Sequence, residues 1–479
     1  MKKTLFCLLL AALIAVISSC GIIVINRISG TDTTSPFTDP ETTRAETLPR
    51  EEIPVDTRTS DSVKKDAEDA LAGLDVVDMG GARILLCGTD LTFAEGDGEQ
   101  TVLSSDRASR VAVLEKKFNA EISLIGFSED ELLSKLKDAD KNGEYFADVI
   151  AVPARLVGQL VSDGLVKSLR TLPETKLSAP YFSADSVAAF SAGHGIYAVS
   201  GEGCFEPEKL YCVYFNKELF SQLDGDAYRL VNGGGFTLEE YARLSGLCEY
   251  AGIGFTLCEP GLDLKKALYL GSGLDFSENG VDMTPKALTF DERYGSVVSL
   301  LSSLPDAVQS DDPLSSFSSG GALFYIGTVA DAEKISADAG AWGILPMPKH
   351  KDADGYSAYL SDEATVLCVP VCNSDDRLSG DFIEAFNACS TGYLKYDLVY
   401  HYMLDVLRDN GSVNVLSSLL DAGNYDFITS FASGYPTLYN NTVDAFYDLV
   451  SGQLDFDEYR QREDDVRAYL EKWFPIKNK

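Results

Sequence analysis

The sequence predicts a two-lobed α/β protein with a helical C-terminal region. Three observations carry this. Apolar runs of strand length alternate with helically spaced segments from about residue 80 to residue 164. The alternation restarts near residue 196 and continues to residue 370. Beyond Arg377 the spacing is helical almost to the end of the chain.

In the first set, Arg83-Ile84-Leu85-Leu86-Cys87 is a short apolar run between Gly81 and Gly88, a buried strand. Residues 105–118 place Ala108, Val111, Leu114 and Phe118 at helical spacing, with Ser104 or Ser105 as cap. A strand over 121–125, a helix over 129–136, a strand over 147–152 (ADVIAV) and a helix over 154–162 follow. Such alternation implies a parallel sheet with helices on both faces. In the second set, 196–199 and 211–215 read as strands and 216–222 as a helix. Thr237 caps a helix whose first turn carries Glu239 and Glu240, the charge that a helix N-terminus favours. A strand over 253–257, a helix over 290–304, strands over 322–326 and 341–345 with a helix over 329–337 between them, and a strand over 365–370 complete the set. The tail is read as helices over 379–389, 394–409, 413–420, 443–450 and 456–473.

The start of the chain reads as an export signal. Lys2-Lys3 supply positive charge, residues 5–17 a short apolar stretch, and Ile17-Ser18-Ser19-Cys20 a lipobox whose cysteine is acylated after cleavage. The apolar run continues through Gly21-Ile22-Ile23-Val24-Ile25, long enough for a transmembrane anchor instead. The small-small-Cys triplet at the cleavage position favours the lipoprotein, and either route leaves the rest of the chain outside the cell. Residues 26–60 are rich in Thr, Pro, Asp, Glu and Arg with almost no aliphatic content, a disordered tether, and a short helix is expected over 62–74. The chain has 479 residues, 45% of them hydrophobic, enough for sizeable cores. Its formal charge of −34 repels phosphate backbones, which excludes nucleic acid as a partner.

Motifs for chemistry are sparse. After Cys7 and Cys20, eight cysteines remain with no CxxC pair, so no zinc site is expected, and Cys87, Cys212 and Cys368 read as buried free thiols. Asp138-x-Asp140-x-Asn142-Gly143 opens like a calcium loop, but the twelfth position is Val149 rather than a bidentate Glu. The segment is read as a helix-to-strand turn. No metal and no cofactor are expected. There is no GxSxG elbow, no HExxH helix and no phosphate loop, and His194, His350 and His401 lie in unrelated contexts.

An ordered set of landmarks across residues 80–473 resembles the family 1 extracellular solute-binding proteins, especially lipoproteins of anaerobic Gram-positive bacteria. They include Met79-Gly80-Gly81-Ala82-Arg83 before the first strand, Lys117-Phe118-Asn119 at the end of the first helix, and ADVIAV followed by Gln159-Leu160-Val161-Ser162-Asp163-Gly164-Leu165. Further along come Leu177-Ser178-Ala179-Pro180-Tyr181-Phe182, Gly195-Ile196-Tyr197-Ala198-Val199, Tyr214-Phe215-Asn216-Lys217-Glu218-Leu219-Phe220, Gly321-Ala322-Leu323-Phe324 and Trp342-Gly343-Ile344-Leu345-Pro346-Met347-Pro348-Lys349. The resemblance implies a periplasmic-binding-protein-like (type 2) fold: two lobes, hinge strands and a cleft that captures a small solute for an ABC transporter permease. It implies a signal peptide over 1–19, a lipidated tether over 20–79, a first lobe over 80–199 and 327–372, and a second over 200–326 and 373–479. Hinges are expected near Val199-Ser200, Ile326-Gly327 and Cys372-Asn373. The implied protein is a monomer, not an enzyme, held to the outer face of the cell membrane through Cys20. The alternative from another class is a surface glycoside hydrolase, whose carboxylate pair is invisible among 74 acidic residues. A further alternative is a sensor or adhesin working without a transporter.

In open α/β sheets, ligands bind outside the carboxyl ends of the strands. That rule, with the family's contact positions, selects Asp90, Glu202, Thr328, Trp342 and Asp362 as ligand contacts, with Tyr181 and Tyr359 as aromatic walls. Glu202 and Asp362 belong to no apolar periodic face, so both are expected to be dispensable for folding. One departure matters. Sugar-binding relatives usually stack ligands on several tryptophans, and this chain has only Trp342 and Trp473, although 23 tyrosines and 24 phenylalanines offer other surfaces. Cys20→Ala is expected to move the protein from the membrane fraction to the medium or to an uncleaved precursor. Fractionation with mass spectrometry of the N-terminus checks this, and detergent-requiring membrane association of a correctly trimmed product would sink it.

Overall fold

The computed structural model describes residues 58–474, apart from 97, 99–101, 174, 224, 280–284, 336–339 and 408. The expected signal peptide, the lipobox at Cys20 and positions 20–57 of the expected tether lie outside the described residues. The strands in chain order are β1 (Arg83–Gly88), β2 (Glu121–Gly126), β3 (Val149–Pro153), β4 (Ser191–Ala192), β5 (Gly195–Ile196), β6 (Leu210–Asn216), β7 (Thr256–Cys258), β8 (Ser277–Asn279), β9 (Pro285–Ala287), β10 (Phe324–Thr328), β11 (Trp342–Leu345), β12 (Tyr359–Leu360) and β13 (Thr365–Cys368). They build two open sheets and two short hairpins.

The first sheet runs β2-β1-β3-β13, parallel except for β13, which pairs antiparallel with β3. Every residue of β3 is buried, as a strand covered by helices on both faces requires. Helix Glu129–Asn142 shows how local chemistry frames this sheet. Ser128 and Glu131 form a capping box, and Gly143 ends the helix at φ 68°, a conformation that favours glycine. The calcium-loop-like string is therefore helix followed by a turn. Asp148 then accepts from the Leu85 N–H at 2.8 Å and the Tyr145 hydroxyl at 2.8 Å, which fixes it at the entrance of β3.

The second sheet runs β11-β6-β10-β7, with β12 continuing along the same edge of β6 as β11. β6 is antiparallel to β10, β11 and β12, and β10 is parallel to β7. Several expected elements differ here. Of the helix expected over 329–337, the described residues show a 3-10 segment, Val329–Glu333, capped at its start by the Asp331 carboxylate, which accepts from the Thr328 N–H at 3.0 Å. The helix expected over 394–409 ends at His401 and passes into a wide π turn, Tyr402–Val406. The helix expected over 443–450 starts earlier, at Pro436, whose missing N–H is no loss in a first turn. The strand expected over 196–199 is cut to β5, and Val199 instead bridges to Leu367 of the first sheet.

The lobe boundaries also differ from the expected ones. β11 and β12 belong to the second sheet and only β13 to the first, so residues 327–372 are divided between the lobes. Ile326 and Gly327 lie inside β10 and form no hinge. Helix Asp376–Ala388 buries Phe382 and Phe386 against Ile84, Leu86 and Phe118 of the first lobe, so that lobe extends past Cys372. The chain passes between the lobes at three places: 201–209, 361–364 and 389–392. The short helix expected over 62–74 is present, shifted by two residues, but it packs on the body rather than standing in a tether. Residues 60–72 form a helix whose Val63, Ala67 and Leu71 are buried on the body, because these three fall on one helical face.

The first passage is clasped by two arginines on helix Val102–Phe118. Arg110 is 1% exposed. It donates to the Gly203 carbonyl at 2.9 Å, to the Ser390 hydroxyl at 2.7 Å and to the Phe93 carbonyl, and its guanidinium lies 4.7 Å from the Phe386 ring centre. Arg107 donates to the Phe205 carbonyl at 2.9 Å and pairs with Glu208 at 3.1 Å. One helix of the first lobe thus holds the 201–209 passage and, through Ser390, the 389–392 passage. Arg110→Met is expected to destabilise the protein by at least about 2 kcal/mol, since two buried carbonyls and a hydroxyl lose a charged donor. Denaturant unfolding monitored by circular dichroism checks this, and an unchanged midpoint would refute the clasp.

Candidate functional site at the interlobe seam

The carboxyl ends of β1 and β3 in the first sheet, and of β7 and β10 in the second, lead to the segments that meet between the lobes. Register defines the second-lobe side. Tyr211 at the start of β6 lies opposite Thr328 of β10 and opposite Tyr359 of β12. The Tyr211 and Tyr359 rings are 5.4 Å apart. Glu259 follows β7 directly, near the Tyr211 hydroxyl; burial raises the Glu259 carboxyl above its usual range. Its Oε2 is buried with no hydrogen-bond partner among the described residues.

On the first-lobe side, Arg155 follows β3. It pairs with Glu129 of its own lobe and, at 2.5 Å, with Glu363 in the 361–364 passage. Its backbone N–H donates to the Asp362 carbonyl at 3.0 Å, and the Ser433 hydroxyl of the second lobe donates to the Arg155 carbonyl at 2.5 Å. The Asp362 carboxylate pairs with Lys266 at 2.7 Å, both largely buried. Glu206 ties the passages together: fully buried, it accepts from the Thr365 N–H at 2.7 Å and the Thr365 hydroxyl at 3.2 Å. Burial pushes its carboxyl up to about 7.

Between these groups is a small cavity lined in part by Ala154, Lys266, Tyr359, Asp362, Asn424 and Tyr425. Its free volume, ≈ 10 Å³, is about that of one water. A carboxylate, an amide, an ammonium and two phenols supply donors and acceptors suited to hydroxyl groups, with aromatic faces beside them. A solute larger than water enters only if the lobes separate. Their contact is close where the second-lobe segment 427–434 meets the first-lobe helix Val157–Ser162. A Cβ on Gly158 would stand 2.2 Å from the Phe431 carbonyl oxygen, and one on Gly434 would stand 2.0 Å from the Gly158 carbonyl oxygen. A larger cavity, ≈ 90 Å³, lies elsewhere, within the second lobe beside Tyr269, Asp275 and Tyr294.

The seven residues selected from sequence are dispersed. Tyr359 and Asp362 line the seam cavity, and Thr328 flanks Tyr211 at the same sheet edge. Asp90 stands at the carboxyl edge of the first sheet, but its exposed carboxylate is a turn cap, accepting from the Thr92 N–H at 3.0 Å and the Thr92 hydroxyl at 2.7 Å. Tyr181 is core: it is 7% exposed, lies 5.0 Å from the Phe182 ring, and burial pushes its hydroxyl up to about 12. Trp342 opens β11 opposite Asn216, the far end of β6 and roughly 16 Å along the strand from Tyr211. It packs on Tyr214 instead. Glu202 sits in the hinge, paired with Lys395 at 2.8 Å and accepting the Gly392 N–H at 3.1 Å. Its carboxylate is therefore engaged between the first and third passages and is not among the residues that line the seam cavity. Sequence reasoning missed Arg155, Tyr211, Lys266, Asn424 and Tyr425. Arg155 carried a usable signal, its place two residues after ADVIAVP; the others are brought in by sheet register and by elements distant in sequence.

Solved structures with similar folds share little sequence with this chain. The cyclic alpha-maltosyl-1,6-maltose binding protein from Arthrobacter globiformis aligns with a TM-score of 0.54 at 13% identity, covering 82% of this chain and 100% of that one. The sugar-binding protein MalE from Xanthomonas citri gives 0.53 at 12%, covering 83% and 100%. A family 1 extracellular solute-binding protein from Bifidobacterium longum subsp. infantis gives 0.53 at 12%, covering 81% and 100%. No protein-family profile matches the chain, and no curated protein matches its sequence. The fold is that of the two-lobed, MalE-like family 1 solute-binding proteins.

The contact at Gly158 generates a direct test of the seam. Gly158→Ala is expected to force the helix and the 427–434 segment apart, since backbone on the far side cannot yield as a side chain does. The radius of gyration from small-angle scattering should rise while far-UV circular dichroism stays unchanged. A wild-type radius would show that the seam is not limited there.

Proposed function

We propose that this chain is the solute-binding component of an ABC uptake system, anchored outside the cell through Cys20, with a small carbohydrate as its solute. The carrying observation is the seam itself: two α/β lobes joined by three passages, with Tyr359, Asp362, Lys266 and Asn424 meeting at one cavity. Hydroxyl-rich solutes match this lining of charged and amide groups beside phenol rings. Two of the three named structures, from Arthrobacter globiformis and Xanthomonas citri, are by name binding proteins for sugars, which supports the choice of solute class while fold alone decides no ligand. Binding in this reading separates the lobes, admits the solute and closes them on it, a hinge motion about the passages. The closed form is the shape offered to a permease.

A thermal-shift screen of oligosaccharides identifies the solute, and calorimetry then tests the site. Asp362→Ala is expected to weaken binding roughly ten- to a hundredfold, as a buried polar partner left unpaired costs about 1–3 kcal/mol. Binding at wild-type affinity would remove Asp362 from the site. Turnover of a labelled polysaccharide would replace transport with the hydrolase alternative.

A further inference from the structure

The helix Ser60–Ala72 lies across the third passage between the lobes. Beyond its C-terminal end the chain is fixed to the first lobe. The Leu74 carbonyl accepts from Lys117 at 2.6 Å, and the Val77 N–H donates to Asp381 at 3.0 Å on helix Asp376–Ala388. Its N-terminal end is fixed beyond the passage, on helix Tyr393–His401. Ser60 donates to Asp397 at 3.0 Å, and the Tyr396 hydroxyl donates to the Arg58 carbonyl at 2.8 Å. Between these ends, Val63 stands over the passage, 3.7 Å from where a Cβ of Gly392 would be. Of its buried residues, Leu71 joins the first-lobe cluster around Ile84 and Phe118, while Val63 and Ala67 join the larger cluster, which holds residues of both sheets.

Lys64 completes the arrangement. It lies 3.5 Å from Asp106 on the first-lobe helix and 3.1 Å from Asp397 on the far side of the passage. Burial and the neighbouring Asp397 raise the Asp106 carboxyl to about 6, so the two carboxyl groups repel each other and Lys64 relieves the repulsion. Without the lysine, two like charges face each other across a hinge.

We propose that helix Ser60–Ala72 is a strap that holds the two lobes in their close arrangement, so that the segment preceding the body is coupled to lobe opening. This role does not depend on the identity of the solute. A helix pinned at both ends to elements that move apart either releases one end or resists the motion, and here the releasable end is the polar one at Ser60 and Lys64.

The test uses the full-length chain without added solute. One variant, Ser60→Ala with Val63→Asp and Lys64→Ala, expels the N-terminal half of the strap; Lys64→Met alone is the milder form. Lys65→Ala serves as control, since Lys65 faces solvent with Asp69. Both strap variants are expected to show a larger radius of gyration and about tenfold faster hydrogen exchange at 389–396, with protection in β1, β3 and β10 retained. The control should match wild type. Wild-type radius and wild-type exchange at 389–396, in a variant whose residues 60–72 exchange freely, would overturn the proposal. Uniform loss of protection across both sheets in Lys64→Met would also overturn it, by making the helix a general part of the core.

Discussion

The arrangement depends first on where one guanidinium goes. Arg110 is buried, and among the described residues its partners include no carboxylate and its Nε has none, so the buried charge rests on the donors of its two terminal nitrogens. Its hydrogen bonds go to backbone carbonyls, a hydroxyl and, through its face, to the Phe386 ring. Arginine suits this role because its charge is delocalised and weakly hydrated, and its donors are held in a rigid fork. The consequence is architectural. Gly203 and Ser390 lie on two different passages between the lobes, so one side chain of the first lobe sets the geometry of both.

The other charged groups of the hinge follow the same logic. Glu202 joins Lys395 and the Gly392 N–H, linking the first passage to the third. Glu206 joins the first passage to Thr365, directly after the second. The buried Glu206 carboxyl is destabilising when ionised, and it is held there by two donors rather than by a cation within bonding distance. These contacts make the three passages one unit. In the proposed hinge motion, movement about them would be collective.

The seam is where both lobes present the carboxyl ends of parallel strands, so the chemistry gathered there comes from elements far apart in sequence. Tyr211 is the clearest case. It acquires neighbours from β10 and β12 because antiparallel register places Thr328 and Tyr359 on either side of it. The Arg155 pairs with Glu129 and Glu363 work similarly, joining the end of β3 to the segment that leads into β13. Close backbone approach at Gly158 and Gly434 lets the lobes meet with little space between them.

Sequence alone determined what depends on neighbouring residues. The alternation of apolar runs and helical spacing gave both α/β sets, the Thr237 cap and the order of elements, while the helix expected over 129–136 runs on to Asn142. The alternation also marked strand ends such as the one at Thr328, while Tyr359 and Asp362 were selected through the resemblance to the family's contact positions. Tertiary structure decided the rest. Trp342 looked like a ligand contact from its motif, but strand register puts it at the far end of β6. Tyr181 and Glu202 carried the right chemistry, yet burial gave one to the core and an ion pair gave the other to the hinge. Residues 60–72 had the composition of a tether edge, and only the surface formed by helices 376–388 and 393–401 gives their apolar face something to cover. Local patterns report the periodicity of the backbone; which side chains meet depends on pairings between distant segments, and no short stretch of sequence contains that information.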